Sequence, residues 1–208
     1  MTLLEVVGAG VGDERIPALP AFSARLAADR PAFAVAEGER GPLLASLIAA
    51  GRLIPDRGEV LLDGGTDPAA IRRAVALVDT PVVAEPAPSL PVRTVVREDL
   101  RFAARPSRPR DAEAFLTALG LERWSRAPML DLPPDDRLRL LLELAALREG
   151  VRALVLTSPE RHGGPASGWR RAAADLTARG LPVLVIGGAA VRDDSPASPE
   201  TESIRDLA

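Results

Sequence analysis

The chain contains no lysine, cysteine, asparagine, glutamine or tyrosine, and a single histidine, His162. Each absence removes a chemistry. Without lysine there is no ammonium to grip a phosphate, no Schiff base and no lysine general base. All 26 basic side chains are therefore arginines, which stay charged. Without cysteine there is no disulfide, no thiolate nucleophile and no Cys-ligated zinc, and the redox compartment goes unmarked. A lone histidine excludes a histidine metal cluster. No run approaches the ~20 apolar residues of a membrane-spanning helix, and the first residues lack a basic segment followed by an apolar one. A cytoplasmic protein without direct membrane insertion is expected. The net charge of −3 offers no electrostatic footprint for nucleic acid.

What is present is ordinary for a soluble globular chain. Over 208 residues, 47% are hydrophobic and 26% charged, enough for one sizeable core. Residues 3–11 are β-like, short apolar runs at 33–36, 74–78, 153–156 and 183–186 predict strands, and the turn Pro55-Asp56-Arg57-Gly58 leads into another at 59–63. Helical spacing falls between them, at 43–50, 67–73, 92–103, 111–119, 134–148 and 166–179. Asp67 and Pro68 supply a cap and a first helical residue, and Gly120 and Gly180 supply stops. Residues 80–91, with four prolines, read as a crossing loop. Strands alternating with helices predict an α/β fold with a mostly parallel sheet. One domain is expected over 1–191, with a loose tail rich in Ser, Pro and acid at 192–208.

The chain is arranged around residues 33–64. They read as strand, glycine loop, helix with Leu44, Leu47 and Ile48 on one face, turn, and strand. This order, with the run Ala50-Gly51-Arg52-Leu53-Ile54-Pro55-Asp56-Arg57-Gly58-Glu59-Val60, resembles the ATP-binding subunit of ABC transporters. In that family a phosphate-binding loop opens a helix, and a PDxGEVxxDG turn and strand follow. Val96-Arg97-Glu98-Asp99-Leu100 is similar to the family's VxENL element, and the apolar run at 153–156 before Pro159 to its Walker B strand. The resemblance spans about 3–188. It implies a P-loop NTPase-like nucleotide-binding domain: a mostly parallel core sheet, an N-terminal antiparallel β part, and a small helical lobe at about 92–148 that touches a membrane subunit.

The resemblance places a phosphate loop over Gly38, Glu39, Arg40, Gly41, Pro42 and Leu43. Such a loop works because its backbone N–H groups converge on phosphate oxygens, a lysine neutralises charge and a hydroxyl ligates magnesium. Here Pro42 stands at the lysine position and removes an N–H, Leu43 stands at the hydroxyl position, and Glu37 and Glu39 would face the polyanion. Arg40 is the one cation. The glutamine of the family corresponds to Thr80, and LSGGQ to Leu132-Pro133-Pro134-Asp135-Asp136. The Walker B aspartate and catalytic glutamate correspond to Thr157 and Ser158, and the switch histidine should lie near Gly187 or Gly188. Phosphoryl transfer depends on placed charge, metal and water, so no catalytic residue is assigned. No cofactor is expected, with ATP and magnesium at most weak ligands. The implied role is a pseudo-ATPase: a structural or regulatory partner of a membrane permease, alone or beside a second ABC ATPase subunit, held at the inner face of the membrane through that partner. Two other readings stay open. One is a residual ATP-binding or ATPase subunit working through Arg40, the other a free-standing soluble α/β binding module.

The remaining candidates read as structural. Gly8-Ala9-Gly10-Val11-Gly12 lacks the third glycine of a dinucleotide loop, which would fall at Asp13. Pro17 and Pro20 also break the helix that should follow, so a strand end and turn is expected. Ser158 and Ser167 lack the nucleophile elbow a catalytic serine needs, and His162 is expected exposed in a loop. Asp135-Asp136 reads as a helix start and Asp193-Asp194 as tail, so no metal site is assigned. Arg72-Arg73 and Arg170-Arg171 read as solvated helix faces.

Overall fold

Apolar runs of four or five residues are too short for helices, and strands buried on both faces need no polar alternation. The computed structural model, which describes residues 2–13 and 15–191, builds such runs into a central sheet. The expected tail from 192, with Asp193-Asp194, lies outside the described residues. In chain order the elements are β1 (Thr2–Gly12), β2 (Pro17–Ala27), β3 (Ala32–Val35), α1 (Gly41–Ala49), β4 (Arg57–Leu62), α2 (Pro68–Ala74), β5 (Val75–Val78), α3 (Val92–Phe102), α4 (Pro109–Ala118), α5 (Pro134–Ala146), β6 (Ala153–Thr157), α6 (Ala166–Ala178) and β7 (Val183–Gly187).

The parallel sheet runs β3-β7-β6-β5, and an antiparallel sheet runs β2-β1-β4. Alternate residues of the parallel strands feed two cores. Ala76, Val78, Leu154, Leu156, Val183 and Val185 face α3 to α6. Val75, Leu77, Ala153, Val155, Leu184 and Ile186 face α1 and the antiparallel sheet.

Two expectations about the first sixty residues change. Gly8 and Gly10 lie inside β1, at register shifts, and only Gly12 stands at its end. The prolines that argued against a helix sit in β2, whose place at the sheet edge tolerates a missing N–H. Helix α1 begins at Gly41, with Pro42 in its first turn, as suits proline. Its buried face is Ala45, Ser46, Ile48 and Ala49, while Leu44 and Leu47 are half-buried. The reason is where α1 lies: it packs on β1, β2, β6 and β7 together, and small residues permit that approach.

The start of β4 is wedged against β1. Gly58 has φ +70°, and a Cβ there would lie 2.2 Å from the Val7 carbonyl oxygen, so only glycine fits. Beyond it Asp67 caps α2, accepting from the Ala69 N–H at 2.9 Å. The helices after residue 91 follow their patterns. Val92, Val95, Val96 and Leu100 are buried in α3, and Ala112 and Leu116 in α4. The backbone N–H of Arg108 donates to Asp111 Oδ2 at 2.8 Å, closing the start of α4. α5 is buried almost all round because α3, α6, β5 and β6 all pack on it. Asp135 and Asp136 stand in its first turn, where the positive end of the helix dipole favours acids. No helix among the described residues is long and apolar enough to cross a membrane.

Candidate functional site

Ligands of open α/β sheets bind beyond the carboxyl ends of the strands. Four segments meet there: the loop after β3, Asp79-Thr80 after β5, Thr157-Ser158 at the end of β6, and Gly187-Gly188 at the end of β7.

The loop of Gly38, Glu39, Arg40, Gly41, Pro42 and Leu43 leads from β3 into α1, with Arg40 at the N-cap position. Glu37, Gly38, Glu39 and Arg40 are exposed, whereas Gly41 and Pro42 are buried. Arg40 makes no capping hydrogen bond.

Directly beneath lies a chain of neutral hydroxyls. Thr157 Oγ1 donates to Ser46 Oγ at 2.9 Å, so the 2.7 Å contact between Thr80 and Thr157 is made by the Thr80 proton. All three side chains are fully buried. A Thr157 with both neighbours satisfied in this way holds no charge that could organise a metal. Across the sheet end, Glu160 Oε1 accepts from the Gly188 N–H at 2.7 Å, while its Oε2 is buried with no hydrogen-bond partner among the described residues. A carboxylate thus stands where the switch histidine was sought.

The charged part of the site is one layer further on, and the sequence reading missed it. Asp79, left-handed at φ +51°, turns its fully buried carboxylate towards the helical side. Oδ1 accepts from Arg137 Nη2 at 2.8 Å, and Oδ2 accepts from His162 Nε2 at 2.5 Å. Arg161 Nη2 lies 3.3 Å from Oδ2 and 3.2 Å from Glu85 Oε1. His162 is therefore not an exposed loop histidine. It lies half-buried in the one-turn helix Pro159–His162, and an ionised Asp79 requires Nε2 to carry the proton. Burial pushes the Asp79 carboxyl up, but hydrogen bonds from His162 and Arg137 and the charges of Arg137 and Arg161 outweigh it. The group is held below the usual carboxylate range.

Asp79, Glu85 and His162 bring ligand atoms within 4.8 Å of one another, the spacing of a metal cluster. Guanidiniums already contact both carboxylates, so a cation would meet two fixed positive charges there. A magnesium triphosphate fits the strand ends no better. Its phosphates would face Glu37 and Glu39 with Arg40 as the nearest loop cation, and its metal would face neutral hydroxyls. Arg170 also departs from expectation: it is half-buried, its guanidinium 4.8 Å from both the Phe33 and Trp169 rings.

Several solved structures share this arrangement. A nucleotide-free ATP-binding cassette from an ABC transporter superposes with TM-score 0.63 at 16% identity, over 91% of this chain and 82% of that one. The fold is that of an ABC transporter ATP-binding cassette. A bacterial ABC transporter cassette solved as a dimer gives TM-score 0.63 at 16% identity, over 89% of this chain and 88% of its own. For cbiO1 from Clostridium perfringens, described as part of the ABC transporter complex cbiONQ, the values are 0.62, 16%, 90% and 78%. No protein-family model and no curated protein matches the chain.

Proposed function

We infer that this chain is a catalytically degenerate cassette subunit, which docks on a membrane permease from the cytoplasmic side without using ATP hydrolysis. The observation that carries this reading is a groove of about 470 Å³ between the loop after β5 and helices α3 and α5. Val83, Val95, Phe102 and Leu141 make its apolar lining, with Glu85 and Glu98 beside them. Next to Val83 in sequence, Val82 is 96% exposed and held at φ +65°, an unfavourable conformation for a β-branched residue, and Phe102 in the lining is 78% exposed. Exposed apolar side chains gathered at a concave surface mark an interaction site. Its occupant is a short amphipathic helix in a cytoplasmic loop of a multi-span permease, its apolar face on Phe102 and Val83 and its basic residues towards Glu98. That cbiO1 is described as part of a transporter complex supports the same kind of partner.

A residual nucleotide site at Gly38 to Leu43 is the competing reading. It rests on Arg40, exposed at the N-cap of α1 without a capping hydrogen bond, where the helix end favours an anion. The acids Glu37 and Glu39 flank it, and for this reason the docking reading is preferred. The deciding experiment is co-purification of tagged chain from membranes of its native host. Wild type should retain a multi-span protein in the absence of ATP, and Phe102→Asp and Glu98→Arg should each lose it. Retention unaffected by both changes would sink the docking site. Retention only with Mg-ATP would favour the nucleotide reading.

A further inference from the structure

A second cavity, of about 420 Å³, lies between the loop after β5, the start of α5 and the one-turn helix Pro159–His162. That is the size of a small-molecule site. Its walls differ in kind. Arg137, Arg161 and His162 line one side; Met129, Leu130 and Leu132 line another. Loop residues 38–43 take no part in it, and of the groove residues it shares Glu85 alone.

The two acids that neutralise the arginines are not equivalent. Asp79 is wholly buried behind the wall, bonded to Arg137 and His162. Glu85 is on the cavity side with 31% of its side chain exposed, 3.2 Å from Arg161 and 3.8 Å from Arg137, the second being beyond a hydrogen bond. A carboxylate thus rests at the mouth of two guanidiniums and holds one of them by a surface-accessible contact, the kind worth little in water. An incoming carboxylate can take its place without disturbing Asp79.

We propose that this cavity binds a small carboxylate with an apolar body, which replaces Glu85 on Arg161, beside Arg137, and lays its body on the exposed Leu130 and the rim of Leu132. Two oxygens suit the planar guanidinium fork, and the apolar wall needs a ligand part that water does not supply. Inorganic phosphate satisfies only the first requirement. An uncharged alcohol of the same length satisfies only the second. The site shares Glu85 alone with the docking groove and nothing with the loop after β3, and its test involves neither a membrane partner nor a nucleotide.

The test is calorimetric titration of the full chain with octanoate, with octanol and inorganic phosphate as comparison ligands. Octanoate should bind more tightly than either. Glu85→Gln removes the competing charge and should tighten octanoate binding by about tenfold, while Arg161→Gln should weaken it by about tenfold or more. Leu130→Glu places an acid at a wall position that is 75% exposed, where folding tolerates it, and should weaken binding similarly. Thermal melting of Arg161→Gln identifies any loss of fold, in which case Leu130→Glu decides. No heat with millimolar octanoate would overturn the proposal. So would octanol or phosphate binding as tightly as octanoate, unchanged binding in Leu130→Glu, or a Glu85→Gln affinity at or below wild type.

Discussion

Asp79 shows what a buried charge demands of its neighbours. Its carboxylate has no water to fall back on, and Arg137, only 5% exposed, is held just as deeply. Removing one member of such a pair strands the other, which is worse than never having built it. Arg137→Met should therefore destabilise the fold by about 3 kcal/mol in urea unfolding, at the lower end of the usual range because His162 and Arg161 still touch Asp79. Adding Asp79→Asn, which removes the stranded charge and tolerates the left-handed backbone, should recover part of that loss. A double variant as unstable as the single one would show that the pair matters through packing rather than charge. The same acid sets a pH dependence. Its folded carboxyl lies below its unfolded value of about 3.9, so the unfolded chain takes up protons first as the pH falls. The stabilisation is complete above that value and is lost as the pH drops through the folded one. Wild type should lose stability below about pH 4 more steeply than the double variant in pH-dependent urea melts.

At the scale of elements, β4 and the turns that flank it carry the most specific sequence signal and, at Gly58, the tightest backbone contact. Gly58 and Gly64 both adopt positive φ, at +70° and +82°, yet an added Cβ at Gly64 would meet no described atom within 4 Å. At Gly58 it would meet the β1 backbone at 2.2 to 2.4 Å. Gly64→Ala should therefore cost only the left-handed conformation, about 1 kcal/mol. Gly58→Ala must also displace β1 and should cost at least twice as much, read as the difference between two denaturant midpoints. Equal effects would mean that the turn yields more easily than its packing suggests. The parallel strands were legible because burial on both faces writes them as plain apolar runs. β2 was not, because Pro17 and Pro20 are turn signals that an edge strand happens to tolerate.

For the whole molecule, order was legible and convergence was not. The sequence of strands and helices led to the cassette fold before any contact was known. Asp79, Arg137 and His162, however, lie 58 and 83 residues apart along the chain, and no periodicity brings them together. A charged residue directly after the buried run 75–78 was the one local sign, and it was indistinguishable from a strand-ending turn. The loop at 38–43 is the reverse case: its place before α1 was legible, and its chemistry is what separates the proposed reading from its competitor. Anything that binds only the folded state stabilises it by RT ln(1 + [L]/Kd). A nucleotide site with Kd of about 10 µM would add about 2.7 kcal/mol at 1 mM ligand, raising Tm by about 5–10 °C in a chain of this length. On the proposed reading, 1 mM Mg-ATP should raise Tm by less than about 1 °C, since the ordinary attractions of a triphosphate are replaced by Glu37, Glu39, Pro42 and Thr157. Magnesium alone and Arg40→Ala complete the experiment. A rise of several degrees that Arg40→Ala abolishes would mean that one exposed guanidinium and the start of α1 suffice to hold the phosphates, and the subunit would then have to be counted among nucleotide binders.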